Sequence, residues 1–237
     1  MMGIQAKTGL HSGYIGHLIT VVVCGLLASC GSTSLTVTGT YPLPLTSRLP
    51  MTATLLLDDG FREYIATPSE NITMKMGVAQ TAMMQNVLRK RFTSLTVVTE
   101  VPDEISTDIL IKASVAGVQI GTPAETHLTV FEVWIKYNLE ISDNSNELIT
   151  KWFMPAYGKT PSAFMTSDVK AIDSAAQFAL RDAGVRLITD LHRIPEFHYW
   201  IKQQEVLGKQ VLQQQKEKVK PAPDLGTVAD KSRWDDA

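Results

Sequence analysis

The strongest constraint on the fold is the alternation of apolar and polar residues over positions 133–141. Its apolar members are Val133, Ile135, Tyr137, Leu139 and Ile141. The intervening members are Trp134, Lys136, Asn138 and Glu140. A period of two predicts a strand with one buried face, as is typical of an antiparallel sheet. Turn residues occupy positions 142–146, so residues 148–157 are predicted to return as the hairpin partner.

Two segments instead carry apolar residues at steps of three and four, which predicts helices over residues 76–92 and 168–191. One face of the second helix is built largely from small residues, namely Ile172, Ala175, Ala176, Ala179, Ala183, Leu187 and Leu191. Such a face allows close packing against a sheet. Short apolar runs at 52–57, 95–98 and 109–120 predict further strands. This order predicts an α+β fold in which two helices pack on one face of an antiparallel sheet, with an additional tail helix.

The amino-terminal region carries an apolar run over residues 18–27, preceded by Lys7 and by no acidic residue. A helix of about ten residues spans about 15 Å, which is too short to cross a bilayer core of about 30 Å. The run therefore favours a signal segment that is removed over a transmembrane anchor. A secretory signal with an unrelated cysteine, or a buried core helix, remains an alternative.

The four residues that close this run, Leu27-Ala28-Ser29-Cys30, resemble the lipobox of bacterial lipoproteins. The resemblance implies cleavage between Ser29 and Cys30, a diacylglyceryl group on the Cys30 thiol and acylation of the new amino terminus. Gly31 follows the cysteine where Asp would imply retention in the inner membrane, so the resemblance implies the periplasmic face of the outer membrane. The covalent lipid on Cys30 is the expected prosthetic group, with no other cofactor.

Charge and cysteine content limit the remaining classes of function. The formal net charge of −2 provides no electrostatic attraction to nucleic acid. Cys24 lies in the predicted signal, so Cys30 is the one cysteine expected in the mature chain. A periplasmic domain without an internal disulfide has to be stabilised by its hydrophobic core.

Changes in composition predict the organisation of the chain. The predicted parts are a signal peptide (1–29), a lipidated tether (30–50), an α+β periplasmic domain (51–195), an exposed amphipathic helix (196–220) and a disordered tail (221–237). Prolines in the tether favour an extended spacer. Leu35, Val37 and Tyr41 also fit an edge strand that lies along the domain, so both interpretations stay open.

The sequence predicts neither a catalytic site nor a metal site, so we expect no enzyme activity. Pro195 separates His192 from His198, which favours two surface histidines over a zinc pair. Asp58-Asp59-Gly60 and Asp103-Glu104 both have the composition of turns. There is no Gly-x-Ser-x-Gly motif and no phosphate-binding glycine loop.

Three tryptophans are candidate contacts for a partner protein. Trp134 falls on the polar side of the best strand, and Trp152 lies on its predicted hairpin partner. Trp200 belongs to a thin apolar stripe in the tail, which either docks on the chain itself or offers a helix to a partner. The alternative for the strand positions is that another element of the chain covers that face.

Three further features resemble uncharacterised envelope lipoproteins of Gram-negative bacteria: the run Asp59-Gly60-Phe61-Arg62-Glu63-Tyr64, the helix ending at Phe92, and Ala179-Leu180-Arg181-Asp182-Ala183. The order of elements is also similar to that of the lipopolysaccharide-assembly lipoprotein and of auxiliary lipoproteins of ABC-type lipid transport. These resemblances imply binding and assembly. We therefore expect either a non-enzymatic scaffold or assembly factor of an envelope complex, or an auxiliary subunit that binds a lipid or a glycan. A deep apolar pocket between helix and sheet would favour the second function.

Overall fold

A computed structural model describes residues 33–39 and 47–219. The predicted signal peptide, Cys30 and the predicted tail 221–237 lie outside the described residues. The described chain divides into two compact units, one ending at Thr189 and one beginning at Asp190. Across the described ranges, the helices are too short or too polar to span a bilayer.

The first unit combines strands and helices, which confirms the predicted α+β class. Its strands are β1 (Thr33–Thr36), β2 (Leu49–Leu56), β3 (Ile65–Ser69), β4 (Ile72–Lys75), β5 (Phe92–Val98), β6 (Ile109–Gly121), β7 (Val130–Asp143) and β8 (Leu148–Pro161). Its α-helices are α1 (Asp59–Arg62), α2 (Gly77–Arg91), α3 (Pro123–Thr126) and α4 (Asp168–Thr189). A short 3₁₀ turn, Ser162–Phe164, follows β8.

The main sheet has the strand order β5-β2-β6-β7-β8. Strands β6, β7 and β8 form the predicted antiparallel meander. Strand β2 runs parallel to both of its neighbours, β5 and β6. The expectation of a wholly antiparallel sheet is therefore wrong at β2. Because α2 lies between β2 and β5 in the chain, it supplies the crossover that a parallel pair requires.

A second, three-stranded sheet has the order β1-β4-β3. Strand β1 pairs in parallel with β4, with Leu35 opposite Met74. Leu35 and Val37 are buried, so this part of the predicted tether is an edge strand, the alternative left open by the sequence. Strands β3 and β4 are not predicted by the sequence, because both are short and β3 contains Pro68. Proline is tolerated in β3 because this strand lies at the edge of its sheet.

The core lies between the main sheet and the helices α2 and α4. Tyr137 and its inward-facing neighbours on β7 are fully buried. The predicted small-residue face of α4 is buried from Ala171 to Leu187. Gly184 on α4 lies so close to α2 that a Cβ there would be 3.3 Å from the Val87 Cγ2 atom. The prediction of two packed helices is therefore confirmed.

The second unit contains a 3₁₀ turn, Leu191–Arg193, and the helix α5, Pro195–Val219. Pro195 begins the helix at a position where its missing N–H costs no hydrogen bond. The rings of Phe197 and Trp200 are stacked, with centroids 6.1 Å apart and an angle of 12°. A helix is thus observed where the sequence predicted one over residues 196–220.

Candidate functional site

The outward face of the β7–β8 hairpin carries a group of aromatic and proline side chains. We call Trp134, Phe153, Pro155 and Tyr157 the aromatic patch. Trp134 lies opposite Tyr157 in the ladder, and their ring centroids are 4.9 Å apart at an angle of 39°. Phe153, opposite Asn138, keeps 54% of its surface exposed. The alternation of β7 produces this arrangement, because the face opposite the buried Tyr137 points away from the helices.

A side-chain hydrogen bond holds one end of the patch. The Tyr157 hydroxyl donates to Glu132 Oε1 over 2.5 Å. This bond to the Glu132 carboxylate is the main cause that raises the pKa of Tyr157 to about 12, with burial adding to the effect. The phenol therefore stays protonated at physiological pH, and its ring is held beside Trp134.

Charged side chains surround the aromatic patch. Lys151 Nζ and Glu140 Oε1 form a salt bridge of 2.7 Å across the hairpin. The hydrogen bond from Lys151 lowers the pKa of Glu140. Lys136 and Lys159 belong to the same face as these residues, by the register of the hairpin. An aromatic centre with a charged rim is the composition of many protein contact surfaces.

Strand β8, one of the two edges of the main sheet, is protected against pairing with another strand. The Tyr157 backbone N–H donates to Asp182 Oδ2 over 3.0 Å, and Arg186 Nε donates to the same oxygen over 2.9 Å. At Pro155 and Pro161 the backbone nitrogen points out from the sheet edge, as it does at Tyr157. Proline has no N–H there to donate to another strand. These features oppose strand pairing at β8, so the face of the hairpin is better suited to a partner than this edge.

The structure separates the three tryptophans that the sequence grouped as candidate contacts. Trp134 belongs to the aromatic patch. Trp152 lies opposite Leu139, so it points toward the helix side of the sheet and does not join Trp134. Trp200 belongs to the second unit. Tyr157 could not be recognised from the sequence, because its role depends on the pairing register of β8.

The acidic turn residues have structural roles. Asp58 Oδ1 accepts a hydrogen bond from the Phe61 N–H over 2.9 Å and thereby caps α1. Asp59 Oδ1 pairs with Arg62 Nη1 at 3.2 Å. Asp103 and Glu104 are exposed. Within the described ranges, no group of three or more His, Cys, Asp or Glu side chains is placed to bind a metal ion.

Two clefts that are lined by described residues open on the surface of the first unit. The first, which we call the amino-terminal cleft, has a volume of about 530 Å³. Its lining comprises Thr33, Asn71, Ile72, Thr122, Pro123, Ala124, Phe131, Ser162, Asp168, Val169 and Ile172. The second, the Trp134 cleft, measures about 560 Å³ and is lined by Pro68, Gln119, Ile120, Gly121, Glu125, Thr126 and Trp134. Phe131 of β7 and Ile172 of α4 both line the amino-terminal cleft, so it reaches the space between a helix and the main sheet where a ligand pocket was expected. The Trp134 cleft does not reach this space.

Comparison with known proteins finds distant structural likenesses. No protein-family profile matches the sequence, and no curated protein matches it. A Xanthomonas campestris protein of the DUF330 family is 11% identical to this chain. The structural alignment covers 74% of this chain and 99% of that protein, with a TM-score of 0.46. A minor lipoprotein of Acinetobacter baumannii is 10% identical over 60% of this chain and 90% of its own, with a TM-score of 0.38. A Caulobacter crescentus protein, provisionally assigned as a lipoprotein, is 13% identical. The alignment covers 59% of this chain and 85% of that protein, with a TM-score of 0.36.

Proposed function

We propose that this chain is an outer-membrane-anchored periplasmic lipoprotein that acts as a non-enzymatic scaffold or assembly factor of an envelope complex. The lipobox Leu27-Ala28-Ser29-Cys30 supports the membrane address. Strand β1 begins at Thr33, three residues after Cys30. A lipid on Cys30 would therefore hold the folded domain directly at the bilayer surface, without a long spacer.

The observation that carries the scaffold function is the aromatic patch. Its rings are pre-ordered, because Trp134 packs against Tyr157 and Glu132 fixes the Tyr157 hydroxyl. Pre-ordered aromatic side chains lose little conformational entropy on binding and are common hot spots. The blocked edge of β8 directs a partner to this face. The partner we propose is another protein of the envelope.

The arrangement of the acidic residues favours binding over catalysis. Asp58 and Asp59 are engaged in capping and pairing at α1, and Asp182 binds the backbone of β8. Glu132 accepts from Tyr157, whose raised pKa makes it a poor acid at neutral pH. These carboxylates thus hold the fold together, and a general acid or base would need a freer position in a cleft.

Site-specific photocrosslinking in living cells tests the contact surface. A benzophenone amino acid replaces Phe153 in one variant and Phe178 in a matched control, since both phenylalanines are exposed, at 54% and 44%. We expect discrete crosslinks to an envelope protein from position 153, weakened by Trp134→Ala, and none from position 178. Equal or absent crosslinking at both positions would refute the aromatic patch as the contact.

Labelling with radioactive palmitate tests the membrane address. The full chain should incorporate label, and Cys30→Ala should release an unlabelled, folded protein into the periplasm. Label that persists in Cys30→Ala would contradict lipidation at this residue. Sucrose-gradient separation of the two membranes then distinguishes the outer from the inner membrane.

The second candidate function is that of an auxiliary subunit that binds a glycan or a lipid. The Trp134 cleft favours it, because an indole ring lies there beside the side chains of Gln119 and Glu125. Pockets that combine an aromatic wall with a few polar groups are typical ligand sites. Quenching of Trp134 fluorescence by envelope oligosaccharides, absent in Trp134→Phe, would support this function over the scaffold.

A further inference from the structure

The amino-terminal cleft has apolar walls contributed by three different elements. Ile72 comes from β4, Phe131 from β7 and Ile172 from α4. Val169, in the first turn of α4, adds an apolar side chain that is 36% exposed. A volume of about 530 Å³ is within the usual range of small-molecule sites. The cleft is thus suited to a flexible apolar ligand.

Thr33 at the start of β1 belongs to the lining of this cleft. Cys30 precedes it by three residues. Three residues of extended chain reach about 10 Å. The length of the intervening chain therefore allows a lipid on Cys30 to reach the cleft.

We propose that one acyl chain carried by Cys30 occupies the amino-terminal cleft. This proposal rests on the proposed function, since it requires the lipid. Burial of a methylene group contributes about 0.8 kcal/mol in a bilayer, and an apolar cleft offers a comparable gain. The short tether adds a high effective concentration, which a free lipid lacks. The remaining acyl chains suffice for anchoring, because two buried chains already hold a protein firmly to a membrane.

Occupation of the cleft would fix the orientation of the first unit on the membrane. The end of the unit that carries β1, α3 and the start of α4 would face the bilayer. Strand β1 would then serve as a rigid link between anchor and domain, which explains why residues that read as a tether instead pair with β4.

Intramolecular photocrosslinking of the lipidated protein tests this proposal. Cells are supplied with a palmitate analogue that carries a diazirine near its end, and the full-length protein is irradiated in its membrane. We expect crosslinks from the acyl chain to peptides that contain Ile72 or Ile172. Val169→Trp, which places a bulky ring at the rim, should abolish them, whereas Val185→Trp should leave them unchanged. Both valines are exposed positions on α4, so the pair controls for the substitution itself.

A fluorescent fatty acid provides a second readout. Cis-parinaric acid should bind the soluble Cys30→Ala chain and be excluded from the lipidated protein, whose cleft is already occupied. Equal binding to both would show that a free lipid is the natural occupant and would overturn the proposal. Crosslinks to membrane lipids alone, or crosslinks unaffected by Val169→Trp, would also overturn it. Intact mass separates the two failures: an acylated Cys30 without cleft crosslinks refutes this inference alone, and an unmodified Cys30 refutes the proposed function as well.

Discussion

Gly158 on β8 and Ala175 on α4 are in direct backbone contact. A Cβ at position 158 would lie 2.1 Å from the Ala175 carbonyl oxygen and 2.3 Å from the Ala179 nitrogen. The helix can approach the sheet this closely because its contact face is built from alanines. The contact thus places α4, and with it Asp182, against β8.

Gly158→Ala should therefore destabilise the first unit strongly. The added methyl group would have to displace backbone, and overpacking of this kind costs about 1–3 kcal/mol or more. Urea denaturation measures the loss. Gly117→Ala is the matched control, since no atom lies within 4 Å of its added Cβ. Equal stability of the two variants would contradict the close packing of α4.

Gln80 should be essential to the core although it is polar. Its Nε2 donates to the Phe61 carbonyl over 2.7 Å, and its Oε1 accepts from the Tyr137 hydroxyl over 3.3 Å. Gln80→Met would remove both hydrogen bonds inside the core, at a cost of about 0.5–1.5 kcal/mol for each bond. Thermal unfolding should show a clear decrease, whereas the exposed neighbour Asn86→Met should remain close to the parent. A neutral Gln80→Met would show that these two hydrogen bonds contribute little to stability.

Glu132→Gln should lower the pKa of Tyr157 from about 12 toward its ordinary value. The substitution removes the carboxylate, whose hydrogen bond and charge favour the protonated phenol. Ultraviolet titration measures the change, and the difference from Tyr157→Phe isolates this one tyrosine. An unchanged titration curve would mean that burial, the second cause, controls the group instead.

Asp173→Asn should increase stability at neutral pH. Burial raises the pKa of Asp173, while hydrogen bonds from Gln177 and the Thr38 backbone lower it in part. The Asp173 carboxyl therefore keeps its proton to a higher pH in the folded protein than in the unfolded chain. At a pH below its pKa in the unfolded chain, the protonated carboxyl makes its full contribution to the free energy of unfolding. That contribution is lost as pH rises through the folded pKa. The asparagine side chain does not ionise, so the variant does not lose this stability as pH rises.

Urea denaturation between pH 3 and pH 7 measures the effect of Asp173→Asn as a flatter dependence of unfolding free energy on pH. Asp103→Asn, at an exposed position, serves as the control for the substitution itself. An identical profile for Asp173→Asn and the parent would show that the carboxyl is well solvated in the folded state.

The sequence determined the elements whose patterns are local. The alternation around Tyr137 specified β7, the turn at 142–146 specified the hairpin, and the alanine face of α4 specified close packing on a sheet. These predictions succeeded because side-chain periodicity follows directly from strand and helix geometry. The lipobox, which is a linear signal, stays a prediction about residues outside the described structure.

Tertiary structure decided the features that depend on which strands meet. The parallel direction of β2, the sheet that contains β1, and the pairing of Trp134 with Tyr157 all arise from contacts between distant parts of the chain. The face on which Trp152 lies could not be predicted from the sequence either, because a shift of one residue in register exchanges the two faces of a strand. Local composition records whether a segment favours a strand, but register and neighbours are fixed by the packing of the whole unit.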